Sequence, residues 1–220
     1  MTPPARLLKP GLYAITDSNL LPGDSVLTAV EAAVRGGATL VQYRDKTSSL
    51  AERTRLAKSL TSLCQAFQVP LIINDEPELA LISGASGVHL GQTDGDLPLA
   101  RQQLGNQAIL GATCHGDIAL ADSACRAGAD YLAFGRFFQS STKPGAPSAE
   151  LPVLAAAKQF GRPLVAIGGI TLENGANLIQ AGADHLAVVG GLFDCDDIEQ
   201  RARAFSELFQ RFHPHYQSPQ

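Results

Sequence analysis

The chain has little of what marks a secreted, membrane-spanning or nucleic-acid-binding protein. Cysteine is scarce: Cys64, Cys114, Cys125 and Cys195 are widely spaced and form no CxxC pair. They read as reduced, packed thiols, and a disulfide framework is excluded. Long apolar runs are missing too. None approaches the roughly 18 residues of a membrane helix, and the opening MTPPARLLKPGLYAITD has no secretory-type apolar stretch. The expected compartment is the cytoplasm, with no membrane partner. There is no cationic excess either. A formal net charge of -4 gives no overall basic field for nucleic acid, so any phosphate site must be local. Linkers and low-complexity stretches are also absent. What remains is ordinary for one compact domain: 220 residues, 45% hydrophobic and 17% charged. We take 1–220 as that domain, with its body at about 11–212 and a loose tail at 213–220.

Short apolar runs punctuate the chain at Gly11–Ile15, Thr39–Arg44, Pro70–Asn74, Gly87–Leu90, Ala108–Thr113, Asp130–Phe134, Pro163–Ile167 and Asp184–Val189. Most are near-continuous rather than alternating, as in strands covered on both faces. Helical periodicity fills the gaps, most clearly at Ser25–Arg35, Leu50–Phe67 and Ile198–Phe212. Strand alternating with helix predicts parallel βαβ units. One phrase recurs: Gly37-Ala38, Gly84-Ala85, Gly128-Ala129 and Gly182-Ala183 each close a helix and open a strand. Glycine there supplies a left-handed cap, and alanine permits a tight turn. The phrase returns every two βα units or so. Four double units predict a single closed (β/α)8 TIM barrel with its active face at the C-terminal ends of the strands. An open doubly wound sheet would carry a GxGxxG turn after the first strand, and Ala14-Ile15-Thr16-Asp17 has none.

Polar residues gather at the predicted strand ends. Alternation sends Gln42, Arg44 and Lys46 to one side, toward the barrel mouth. A solvated strand end would share the two cations, but an inward amide needs a partner. Asn74-Asp75 ends the third strand, and Asp94 follows the fourth. Two acids on neighbouring strand ends suit a hard divalent ion that keeps water and phosphate ligands. The bland alternative is a helix cap at Asp75 and a turn at Asp94. Thr113 offers a hydroxyl to phosphate. Cys114-His115 is no nucleophilic dyad, because neighbours on a strand point apart, and His89 reads as a pocket wall. The loop Gln139-Ser140-Ser141-Thr142-Lys143-Pro144-Gly145-Ala146-Pro147 has the composition of a phosphate-gripping lid or of a plain surface loop. Gly168-Gly169 and Gly190-Gly191 end the last two strands, the usual phosphate site of such barrels; packing is the alternative reading.

The ordered set VQYRDK, IINDEPELA, GVHLGQTD, GATCHG, SSTKPGAP and AIGGIT resembles the thiamine phosphate synthase family, from about Gly11 to Phe209. The resemblance implies a transferase that joins 4-amino-2-methyl-5-hydroxymethylpyrimidine diphosphate to 4-methyl-5-hydroxyethylthiazole phosphate, or its carboxylated form, with Mg2+. By similarity Gln42 contacts the pyrimidine, within the stretch Gln42-Tyr43-Arg44-Asp45-Lys46. Arg44, Lys46, Asn74, Thr113 and Lys143 surround the diphosphate, and Asp75 and Asp94 match the magnesium ligands. Ser140, Ser141 and Thr142 match the stretch gripping the thiazole, with Gly169, Val189 and Gly190 at its phosphate. Three positions depart from the usual pattern: Thr113 for serine, Gly190 for serine and Ser140 for threonine. Two rivals are a thiazole tautomerase of the same superfamily, which lacks the paired acids, and a phosphate-binding protein without turnover. Assembly into a homo-oligomer is left open.

Overall fold

The computed structural model describes residues 8–139 and 147–216. Strands β1 (Gly11–Ile15), β2 (Leu40–Tyr43), β3 (Leu71–Asn74), β4 (Gly87–Leu90), β5 (Ile109–His115), β6 (Tyr131–Phe134), β7 (Leu164–Ile167) and β8 (His185–Val188) are all parallel and close into a barrel in chain order. Around them run α1 (Ser25–Arg35), α2 (Leu50–Ala66), α3 (Pro77–Ser83), α4 (Leu97–Leu104), α5 (Ile118–Arg126), α6 (Pro152–Ala157), α7 (Leu172–Ala181), the single turn α8 (Gly190–Phe193) and α9 (Ile198–Phe212). A (β/α)8 TIM barrel is therefore the fold. Among the described residues no helix is long and apolar enough to cross a membrane.

The recurring Gly-Ala phrase has a physical reason. Gly37, Gly84, Gly128 and Gly182 all have positive φ, and each donates its N–H to the carbonyl three residues back. The following alanines, Ala38, Ala85, Ala129 and Ala183, each donate to the carbonyl five residues back. This is the paired-bond helix stop that satisfies the last carbonyls of a helix. The next residue then clips the foot of the preceding strand. Asp130 N donates to Leu110 O while its Oδ2 accepts from Leu110 N at 2.8 Å. Asp184 does the same with Leu164, and Ser86 with Leu71. Each phrase thus ends a helix, turns the chain and sets the strand's register.

The strands separate two cores. Leu12, Ala14, Val41, Tyr43, Ile73, Leu132 and their neighbours face outward against the helices. Leu8, Tyr13, Ile15, Leu40, Ile72, Ile109, Tyr131, Ala133, Val165 and Ala187 fill the barrel. Helix α9 buries Ala202, Phe205 and Phe209 and packs against α1 and α7. The chain beyond it is not loose as far as it is described. His213 Nε2 lies 3.2 Å from Asp184 Oδ1, and the Tyr216 ring sits 5.9 Å from Phe209. Residues 217–220 lie outside the described part.

Candidate active site

A cavity of about 410 Å³ opens at the C-terminal ends of the strands. Its wall follows from alternation. With Tyr13, Leu40, Ile72, Tyr131 and Ala187 pointing in, the next inward positions are Ile15, Gln42, Asn74, Ala133 and Val189, and on β5 the inward series from Ile109 passes Gly111 to Thr113; these six residues line it. Gln42 is 3% exposed, so its amide needs a partner, and Nε2 donates to Tyr13 Oη at 2.7 Å.

Arg44 also lines the mouth, held by Asp17 through Nη1 at 3.1 Å. Strand β2 stops at Tyr43, so alternation no longer governs Lys46. Its side chain is half exposed, and Nζ bonds Asp75 Oδ2 at 2.7 Å. Tyr43 and Asp45, from the same stretch, do not line the cavity: Tyr43 ends the strand facing the helices, and Asp45, beyond the strand, is bonded to it. Tyr43 Oη donates to Asp45 Oδ2, and Asp45 Oδ1 accepts from the N–H groups of Thr47 and Ser48. Burial opposes the Asp45 charge, but those backbone donors hold its carboxyl well below the usual carboxylate range. Asp45 shapes the loop that carries Lys46.

Asp75 has φ of 60°, and its N–H donates to His89 O, which turns its carboxylate back over the mouth. Oδ2 accepts from Asn74 Nδ2 at 2.6 Å as well as from Lys46. The N-cap of α3 is Glu76, so Asp75 is not a helix cap. Asp94 does close a turn, with N donating to Gly91 O. It also reaches the mouth, where a Cβ on Gly91 would collide with its carboxylate. The acids at the cavity are carboxylate oxygen donors, and among the described residues no group of three or more His, Cys, Asp and Glu is poised to hold a metal. Such a sparse oxygen set fits an ion completed by phosphate and water, as magnesium is.

Alternation along β5 brings Thr113 and His115 to the mouth and turns Cys114 outward into the core against the helices. Burial pushes the Cys114 thiol up to about 12, so no nucleophilic pair forms. His89 is a pocket wall: Nε2 meets Thr113 Oγ1, and Nδ1 meets Tyr131 Oη, both at 2.9 Å.

Gly168, Gly169, Val189, Gly190 and Gly191 form the opposite rim. Gly168 and Gly169 have positive φ, and a Cβ on either would strike the segment 136–139. A Cβ on Gly191 would strike Ile170 O, whereas one on Gly190 meets nothing within 4 Å. Ser140, Ser141, Thr142 and Lys143 lie outside the described residues.

The sequence reading missed several wall residues, including Arg136, Thr171 and Asp194. Arg136 follows β6 directly, a strand-end position like the others. Its signal was hidden in FGRFF, where flanking aromatics read as core. The backbone of Arg136 also anchors the returning chain: its N–H donates to Pro147 O, and its carbonyl accepts from Ala149 N.

The comparisons agree with this picture. The family model described as thiamine monophosphate synthase matches residues 12–192. A thiamine-phosphate synthase from Marinobacter nauticus is 59% identical over 209 residues, covering 94% of this chain and 94% of its own. One from Alcanivorax borkumensis is 53% identical over 204 residues, covering 91% and 94%. A solved thiamine phosphate pyrophosphorylase from Pyrococcus furiosus superposes with a TM-score of 0.85 at 29% identity, over 93% of this chain and 98% of that one. With most of its length matched, and the cavity lying within the matched span, this chain belongs to the thiamine monophosphate synthase family.

Proposed function

We propose that the cavity condenses 4-amino-2-methyl-5-hydroxymethylpyrimidine diphosphate with 4-methyl-5-hydroxyethylthiazole phosphate, releasing diphosphate and thiamine phosphate. The family supplies the reaction class, a transfer step of thiamine biosynthesis. One observation carries the assignment of roles: cations and acids meet at one side of a single mouth, with Lys46 on Asp75 and Arg44 beside Gln42. Such a mixed set suits a metal-bound diphosphate better than a free anion or a bare ion.

In this reading Gln42 holds the pyrimidine, while Arg44, Lys46, Asn74 and Thr113 surround its diphosphate. Asp75 and Asp94 would hold Mg2+, which when bound offsets charge on the departing diphosphate. Arg44 and Lys46 stabilise that same charge as it grows. The aminopyrimidine shares the positive charge left on its methylene, so departure is dissociative. The thiazole nitrogen already has its lone pair, and no residue need remove a proton. Positioning therefore carries the rest of the catalysis. Gly169, Val189 and Gly190 would receive the thiazole phosphate on backbone N–H groups. By resemblance alone, Ser140, Ser141 and Thr142 grip the thiazole and Lys143 adds a cation. Tyr43 and Asp45 act at one remove, by shaping the Lys46 loop.

The test is product formation from both substrates with magnesium, read as fluorescent thiochrome after oxidation. Product should appear, vanish with EDTA, and fall at least about 100-fold in Asp75→Ala. Folded protein that makes no product overturns the reading, as does turnover indifferent to EDTA.

A further inference from the structure

A row of polar side chains crosses the barrel just beneath the mouth, and the condensation as described uses only its two ends. Gln42 Nε2 lies 2.7 Å from Tyr13 Oη, and Tyr13 Oη lies 2.8 Å from Tyr131 Oη. Tyr131 Oη is 2.9 Å from His89 Nδ1, and His89 Nε2 is 2.9 Å from Thr113 Oγ1. Five strands contribute, so the row exists only in the closed barrel. Both phenols are fully buried, and burial raises each far above its ordinary value, so each keeps one proton. Gly111 makes the room: a Cβ there would collide with the Tyr131 hydroxyl and crowd His89 Nδ1. Gln92 fixes the far end by donating to the Thr113 carbonyl.

Each link holds one proton, so with a neutral imidazole the row has two self-consistent polarities. In the first, the Gln42 amide donates to Tyr13, Tyr13 to Tyr131, Tyr131 to His89 Nδ1, and His89 Nε2–H to Thr113. Gln42 Oε1 is then left to face the ligand as an acceptor, and the Thr113 hydroxyl is free to donate into the mouth. In the second, every bond reverses. Gln42 then shows its NH2 to the ligand, and Thr113 shows only lone pairs. A mixed state leaves two donors or two acceptors facing each other in a buried site, which costs a hydrogen bond and the desolvation of its atoms.

We propose that this row makes the enzyme select a 4-amino over a 4-oxo pyrimidine by tying the amide orientation of Gln42 to the hydroxyl orientation of Thr113. A 4-amino group needs an acceptor from Gln42, and a diphosphate oxygen needs a donor from Thr113. Both demand the first polarity. A 4-oxo ring needs a donor from Gln42, which demands the second polarity and turns Thr113's proton away from the diphosphate. The wrong ring is therefore penalised at both ends. Tyr13, Tyr131 and His89 are positioning residues in this scheme. The inference rests on the reading that Gln42 meets the pyrimidine and Thr113 the diphosphate.

The test compares KM and kcat for the 4-amino substrate with the inhibition constant of the 4-oxo pyrimidine diphosphate. The folded protein should prefer the amino ring by about 100-fold or more, as sites built on a hydrogen bond do. Tyr131→Phe cuts the row. Tyr13 then finds its acceptor in Gln42 Oε1, so the preference should fall below about 10-fold, mostly through tighter binding of the oxo ring. Loss of structure alone would weaken both rings together. Thr113→Ala, on the half-buried rim, should lower the preference likewise, while Thr113→Ser should keep it. Tyr13→Phe serves should Tyr131→Phe not fold. A preference unchanged in Tyr131→Phe and in Thr113→Ala overturns the proposal. An unchanged KM for the amino substrate in Gln42→Leu instead overturns the placement of the ring, and the proposal with it.

Discussion

Four glycines, Gly168, Gly169, Gly190 and Gly191, rim one side of the mouth, and they are not equivalent. Gly169 has φ of 61°, and a Cβ there would collide with Gln139 O. Any side chain meets both backbone strain of about 1–2 kcal/mol and a clash with main chain. Gly190 has open space where a Cβ would go. Serine is common at that position in the family this chain resembles, and the gap here would receive it. Gly190→Ser should thus fold as before and add a hydroxyl donor for the thiazole phosphate. Its KM for that substrate is expected to fall by about 3- to 10-fold, with the KM for the pyrimidine diphosphate unchanged. Gly169→Ser should lose activity and melt earlier. Steady-state kinetics on the two variants decide the matter: equal effects would mean that the rim glycines share one role. Much at this scale was legible, since alternation alone brought Gln42 and Arg44 to the mouth. Tyr13 and Tyr131 were not legible. A tyrosine inside an apolar run reads as core, and its hydroxyl acquires a partner only when strands far apart in sequence become neighbours across the barrel.

At the scale of elements, the repeated Gly-Ala phrase was legible because its chemistry is local. A helix stop of this kind needs a residue at positive φ, which glycine supplies most readily. A fifth stop escaped notice because Gln68 takes the left-handed position, with φ of 57°. Its bonds are the same, Gln68 N to Gln65 O and Val69 N to Cys64 O. The strand clip that follows each phrase was not legible, since its partner lies a whole strand away. Asp130 shows its worth. The residue is 4% exposed, and one carboxylate oxygen serves both Leu110 N and Arg101 Nη2, at 2.8 Å and 2.7 Å. Asp130→Ala takes the acceptor from the Leu110 N–H and the carboxylate from a largely buried Arg101 guanidinium, which keeps its bonds to the Gly105, Ala108 and Gly128 carbonyls. It should therefore cost about 3 kcal/mol of stability. The surface pair Asp122–Arg126 is the control, and Asp122→Ala should change stability by less than about 0.5 kcal/mol. Urea midpoints at fixed pH measure both. A similar small loss in each would show that the clip is not what holds the strand.

For the whole molecule, the barrel interior grades from polar at the mouth to apolar at the floor, with one exception. His185 faces inward at the foot of β8, in register with Gly11 and Val165, and is fully buried. Neither ring nitrogen makes a hydrogen bond of normal geometry. Burial pushes its pKa down to about 4. The Asp184 carboxylate and the Lys9 backbone favour the charged form but are outweighed, and His213 nearby works against it. The consequence is a pH dependence of folding. Between about pH 6.5 and 4 the unfolded chain binds a proton at this imidazole that the folded chain refuses, so stability rises with pH across that window. The contribution is fully present above the unfolded value and is lost as the solution is acidified. From pH 7 to 5 the loss should be roughly 2 kcal/mol. Carboxylates held low by their partners, such as Asp45, act further down the scale and leave this window to the histidine. Urea unfolding of the parent and of His185→Leu, at pH 7 and pH 5, isolates the effect. The parent should lose stability between the two, and the variant should show a much shallower slope whatever its absolute stability. Parallel slopes would mean that the floor of the barrel admits the proton, and that His185 is solvated or paired in solution.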